Sequence, residues 1–201
     1  MIRVGLTGSI AMGKSTTADM FRDEGAPVHD ADAAVHELYG PGGAASEPLR
    51  ALVPSAVSAA GVDREALKAA IAEDPALLGR IEAAIHPLVK AHRDAFERAA
   101  EADDQTIILF DVPLLFETGA DQEMDAVVVV TAPAEVQKAR ALARPGMTEA
   151  HLDRILARQT PDAEKRARAD YLVETHHGLE VARAQVRKIL SDLRQKAASR
   201  S

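Results

Sequence analysis

Residues 8–16 read GSIAMGKST: two glycines bracket four residues, and a lysine, a serine and a threonine follow. These types at this spacing suit the grip on a nucleoside triphosphate. Gly8 lets the chain turn sharply out of the apolar run Ile2–Thr7. Gly13 permits close backbone approach to the ligand. Backbone N–H groups along Ser9, Ile10, Ala11, Met12 and Gly13, and at the start of the following helix, would face phosphate oxygens. Lys14 supplies a charge between the β- and γ-phosphates, and Ser15 a hydroxyl ligand for Mg²⁺. Thr16 adds a contact at the α-phosphate. A chain of 201 residues shows this pattern by chance less than roughly 1% of the time.

Such a loop serves many proteins, so the class rests on what else is present. The sequence contains no asparagine, which rules out an Asn-Lys-x-Asp guanine motif, and no Asp-x-x-Gly switch. It is too small and too acidic for a helicase motor. A small-molecule kinase remains. Such an enzyme needs a carboxylate at the acceptor hydroxyl and cations over the transferring group. HDAD supplies Asp30 and Asp32, DVPLLFE supplies Asp111 and Glu117, and the segment 138–168 is rich in arginine. Either Asp30 or Asp32 could be the base. The adjacent His176 and His177 lack the spacing of a metal site.

These side chains need a scaffold. The expected strands are Ile2–Thr7, Pro27–Asp30, Gln105–Asp111, Ala126–Thr131 and Tyr171–Glu174. The expected helices are Lys14–Asp23, the stretch after Asp30, Arg64–Glu73, Pro75–His86, Pro87–Ala102, Pro133–Ala143, Thr148–Ala157 and Asp162–Arg168. A last helix carries Leu179, Ala182, Val186, Ile189, Leu190 and Leu193 on one face. Pro87 reads as the first turn of a new helix. Residues 40–63, rich in Gly, Pro, Ala and Ser, read as the least structured part, and the tail 196–201 as frayed. Alternation of strands and helices gives an α/β fold with a parallel sheet of about five strands. Continuous apolar runs suggest strands buried on both faces. Ligands of such sheets sit at the carboxyl ends of the strands, here after Thr7, Asp30, Asp111 and Thr131.

Composition narrows the partners. A net charge of −7 argues against binding by broad phosphate neutralisation of nucleic acid, and 3% aromatic content with no tryptophan argues against base-stacking platforms. There is no cysteine, hence no disulfide framework or thiolate zinc site. No 18-residue apolar run and no signal-peptide core are visible, so a cytoplasmic, membrane-free protein is expected.

The chain resembles the dephospho-CoA kinase family of P-loop kinases. The resemblance runs from about residue 1 to 190 through GLTGSIAMGKST, HDADAAVHEL (29–38), RIEAAIHPLV (80–89), DVPLLFETG (111–119), QKARALARPGMTEAHLDRILARQ (137–159) and KRARADYLVET (165–175). It implies a P-loop kinase fold with core segments about 1–34, 105–139 and 169–196, a helical substrate-binding insertion about 35–104 and a lid about 140–168. It implies ATP- and Mg²⁺-dependent phosphorylation of the ribose 3′-hydroxyl of dephospho-CoA by a monomer or weak homo-oligomer. A kinase for another small alcohol and a silent nucleotide-binding regulator stand as alternatives.

The resemblance makes Asp32 the catalytic carboxylate, with Lys14 and Arg140 beside the transferring phosphate. Arg140, Arg144 and Thr175 would contact the nucleotide. His36, His86, Asp111, Pro113, Leu114, Leu115 and Glu117 would contact the acceptor, with Asp111 also holding the metal's water shell. Two positions depart from the family pattern: Ala11 stands where glycine is usual, as does Ser9, and Thr175 where many relatives place asparagine. A left-handed Ala11 would carry strain of roughly 1–2 kcal/mol.

Overall fold

Strands with no polar face must lie inside a sheet, covered on both sides. In the computed structural model, which describes residues 1–199, the runs 2–7, 107–111 and 126–131 do so. The strands are β1 (Ile2–Thr7), β2 (Val28–Asp30), β3 (Val57–Ser58), β4 (Gly61–Val62), β5 (Ile107–Asp111), β6 (Ala126–Thr131) and β7 (Tyr171–Glu174). The helices are α1 (Lys14–Asp23), α2 (Ala31–Tyr39), α3 (Ser46–Leu52), α4 (Arg64–Glu73), α5 (Leu77–Ala102), α6 (Ala134–Leu142), α7 (Glu149–Leu156), α8 (Asp162–Arg168) and α9 (Leu179–Ala198). The chain forms two compact units, Met1–His29 with Ala100–Ser201, and Asp30–Ala99.

The main sheet has five strands in the order β2-β5-β1-β6-β7, with β1 paired in parallel to both β5 and β6, and β6 to β7. Alternate residues of β6 serve opposite faces. Val128 and Val130 join Ala18, Met20 and Phe21 of α1 and Val186, Ile189, Leu190 and Leu193 of α9 in the largest core cluster. Val127 and Val129 pack with Leu115 and Phe116 on the other face. The topology leaves the ends of β1, β5 and β6 side by side, and the chemistry-bearing loops follow them.

The second unit has its own core, in which Leu38, Ala45, Leu49, Val53 and Ala56 pack with Leu67, Leu77, Ile81 and Ile85. Residues 40–63 are therefore not the least structured part. They hold α3, a 3₁₀ turn at Pro54–Ala56 and the β3–β4 hairpin. Their apolar residues at 45, 49 and 53 repeat every four positions and are buried, a signal masked by the surrounding Gly, Pro and Ser.

Three further expectations are corrected. Pro87 does not start a helix but lies inside the 26-residue α5. Its missing N–H would have bonded the carbonyl of Ala83, and both residues lie on the exposed side of the helix. Leu77, Ile81 and Ile85 hold the helix along one stripe. Leu179 is 66% exposed rather than buried with the apolar face of α9, because it occupies the first turn. The tail is helical through Ala198; Arg200 and Ser201, also expected to fray, lie outside the described residues. Among the described residues no helix is long and apolar enough to cross a membrane.

Leu190 is 1% exposed in the core between α9 and the sheet. Leu190→Ala is expected to cost about 2–5 kcal/mol, read as a lower urea midpoint with an unchanged slope.

Candidate active site

The loop after β1 runs against β6. A Cβ on Gly8 would lie 2.6 Å from the carbonyl oxygen of Val130, closer than any side chain tolerates. Residues 9–12 then form a turn closed by the Met12 N–H on the Ser9 carbonyl at 3.2 Å. Ala11, third in that turn, has φ 62°, so the left-handed strain expected of it is present. Its methyl is buried against Ala141 of α6 and Leu152 of α7. Gly13 has φ 94° and leads into α1.

No side chain caps α1. The N–H of Thr17 reaches back to the Gly13 carbonyl at 3.0 Å; those of Lys14, Ser15 and Thr16 precede the first intrahelical bond and have no acceptor within the helix. A helix start of this kind attracts an anion through its free donors and the positive end of its dipole. Ser15 and Thr16 are exposed there.

Lys14 is paired with Asp111 at the end of β5. Asp111 is 2% exposed. The pair places the ammonium group beside the loop before any ligand arrives. Thr175, just after β7, donates its hydroxyl to the Met12 carbonyl at 2.8 Å. Arg140 of α6 donates to the same hydroxyl at 2.7 Å and to the Thr175 carbonyl at 2.9 Å. Arg140, Arg144, Thr175 and Leu179 line a cavity of about 240 Å³ together with Ala11, Gly13 and Thr16. Lysine, arginine and helix start thus share one face of the first unit.

In the segment after β5, Pro113 is half-buried, its carbonyl accepting the Thr7 hydroxyl at 3.3 Å. Leu114 is 42% exposed and available to a ligand. Leu115 is fully buried against Gly5 and belongs to the core, which corrects its expected place in an acceptor wall. Glu117 accepts the Thr160 N–H at 2.7 Å and pairs with the fully buried Lys165 at 3.0 Å. Burial pushes the Glu117 carboxyl up, but the Thr160 and Glu117 N–H groups and Lys165 outweigh it and hold the pKa below the ordinary 4.5. These ties make Glu117 an anchor for α8. Nearby, Thr131 at the end of β6 donates to Asp162 at 2.8 Å.

Within the second unit, Asp30 is the N-cap of α2, accepting the N–H groups of Asp32 and Ala33 at 2.9 Å each. Its side chain is engaged, whereas Asp32 is exposed one residue into the helix. His36 lies one turn further on the same face. It borders a cavity of about 420 Å³ with Tyr39, Pro41 and Arg64. The Arg64 guanidinium stands 5.4 Å from the Tyr39 ring centroid. Burial raises the Tyr39 pKa, and Arg64 opposes that. His86 is exposed on α5.

Sequence reasoning missed Lys165, Gln137 and Gln159. Lys165 sits in a basic run, KRARAD, that reads as surface. Its burial comes from pairing with a carboxylate far away in sequence. Gln137 and Gln159 both bond the backbone of Ile10, and nothing local distinguishes them from other glutamines of the chain.

The family model for dephospho-CoA kinase (CoaE) matches residues 2–180. A dephospho-CoA kinase of Cereibacter sphaeroides is 56% identical, with 97% of each chain covered. The fold is similar to that of a Thermus thermophilus protein of known crystal structure, at 32% identity and a TM-score of 0.77, covering 96% of this chain and 97% of that one. It is also similar to a dephospho-CoA kinase from Campylobacter jejuni, at 18% identity and a TM-score of 0.67, covering 95% and 96%.

Two outcomes test this geometry. Gly8→Ala is expected to abolish ATP binding and to destabilise by about 1–3 kcal/mol, since a backbone carbonyl cannot yield to the added methyl; calorimetric titration and thermal melting check it. Glu117 has a lowered folded-state pKa, so it stabilises above pH 4.5 and loses that contribution as pH falls through its folded value. The urea-midpoint gap between the wild type and Glu117→Gln is therefore expected at neutral pH and to close in acid.

Proposed function

The chain belongs to the dephospho-CoA kinase family, and on that premise we propose that it transfers the γ-phosphoryl group of ATP to the ribose 3′-hydroxyl of dephospho-CoA, forming coenzyme A. The observation that carries this reading furthest is the shared wall of one cavity: Gly13 and Thr16 of the phosphate loop stand there with Arg140, Arg144 and Thr175. A nucleotide seated in it meets free N–H donors at the head of α1 and guanidinium groups together.

The residues divide the work by chemistry. The loop N–H groups and Lys14 bind the β- and γ-phosphates, and Lys14 follows the charge that develops during transfer. Arg140 faces the phosphates and Arg144 the nucleoside. Thr175 serves the nucleotide through its hold on Arg140 and Met12. Asp32, with Asp30 engaged as a cap, accepts or orients the acceptor hydroxyl proton. His36, His86, Pro113 and Leu114 contact the acceptor. Ser15 offers the hydroxyl for Mg²⁺. Among the described residues no cluster of three acidic or histidine side chains could hold a metal alone. A single hydroxyl suits a hard cation whose other ligands are phosphate oxygens and water. Held there, Mg²⁺ would supply positive charge against that of the phosphates. The protein acts in the cytoplasm as a monomer or weak homo-oligomer and needs neither nucleic acid nor membrane.

ADP release measured with and without dephospho-CoA tests the reading. Acceptor-dependent ADP is expected; its absence, or a preference for a nucleoside or sugar acid in an acceptor panel, would overturn it. Asp32→Asn is expected to retain ATP affinity and lose at least about 10²-fold in turnover, and unchanged turnover would remove Asp32 from the chemistry.

A further inference from the structure

Ile10, second residue of the Ser9–Met12 turn, has both of its backbone groups held by glutamine side chains. Gln137 of α6, only 7% exposed, donates its amide to the Ile10 carbonyl at 2.9 Å. Gln159, after α7, accepts the Ile10 N–H at 3.2 Å. Ala11, the next residue, has φ 62°, while Ile10 is not among the positive-φ residues. A turn with a positive φ at its third position alone has the type II arrangement, which favours glycine there.

Type I and type II turns differ by a flip of their central peptide, here the one joining Ile10 to Ala11. An alanine in third place prefers the type I form, with negative φ. Because the peptide is planar and trans, its carbonyl and its N–H point in opposite directions. A carbonyl bonded to Gln137 therefore turns the Ala11 N–H away from α6. Among the described residues no protein acceptor takes that N–H. After a flip, the Ile10 carbonyl would take its place, and its partial negative charge would meet the phosphate.

We propose that Gln137, assisted by Gln159, is a positioning residue that locks the Ile10–Ala11 peptide in its phosphate-accepting orientation and so makes a non-glycine residue at position 11 workable. Neither glutamine touches the reacting atoms. Both act through the loop, and the burial of the Ala11 methyl against Ala141 and Leu152 supports the same conformation. The proposal rests on the loop's role in binding ATP.

The test is a double-mutant cycle with Ala11→Gly, read by calorimetric ATP titration and by KM values for ATP and for dephospho-CoA. Gln137→Met is expected to weaken ATP binding roughly tenfold, the fold-change that the strain of a left-handed alanine corresponds to. KM for ATP should rise in step and KM for dephospho-CoA should not. In the Ala11→Gly background, where the turn is unstrained, the same substitution is expected to cost no more than about twofold. Equal losses in both backgrounds, or unchanged ATP affinity, would overturn the proposal. If Gln137→Met fails to melt cooperatively, Gln137→Leu, which likewise removes the donor to the Ile10 carbonyl, carries the same expectation. Failure of the kinase reading looks different: the wild type would bind ATP but release no acceptor-dependent ADP.

Discussion

The head of α1 presents backbone N–H groups that the helix itself cannot satisfy, and no side chain caps them. Ser, Thr, Asp and Asn are the side chains best suited to that role, which Asp30, Asp63 and Thr148 fill for α2, α4 and α7. Leaving the end bare costs stability unless a ligand completes it. The surroundings of α1 follow from that constraint. Gly8 brings the loop down against the Val130 carbonyl, Asp111 holds Lys14 alongside, and Thr175 fastens the Met12 carbonyl.

The second theme is the use of distant side chains to hold loop backbone. The phosphate loop is short and contains a strained residue, so it is not rigid on its own account. Its carbonyls and N–H groups are taken by Gln137, Gln159 and Thr175, which arrive from α6, from the end of α7 and from the end of β7. Of these, only Gln159 comes from the segment 140–168 expected to form a lid. Glu117 and Lys165 anchor the far end of that segment, with charges that are shielded from water and compensate each other.

Much of this was legible in the sequence, because the signals were local. The boundaries of β1, β6, β7, α1, α4 and α8 followed from apolar runs and charge patterns. The phosphate loop followed from the spacing of Gly8, Gly13 and Lys14. What was illegible depended on partners remote in sequence. Pro87 reads as a helix start until Leu77, Ile81 and Ile85 are seen to carry α5 through it. Residues 40–63 read as loop until Leu49 and Val53 find Leu67 and Ile81. Leu115 and Glu117 read as ligand contacts, yet one is drawn into the core and the other into a pair with Lys165. No periodicity encodes such pairings, since they arise only when strands far apart in the chain are laid side by side.

The hydroxyl of Thr175 has a single proton, and it is given to Met12. The guanidinium of Arg140 can therefore approach only the oxygen's lone pairs, and its second contact is the carbonyl of the same residue. Loop, threonine and arginine are wired in series with a fixed polarity. In mechanical terms they share one coordinate: a displacement of Arg140 is passed through Thr175 to the Met12 peptide. A threonine at 175 couples the loop after β1 to α6.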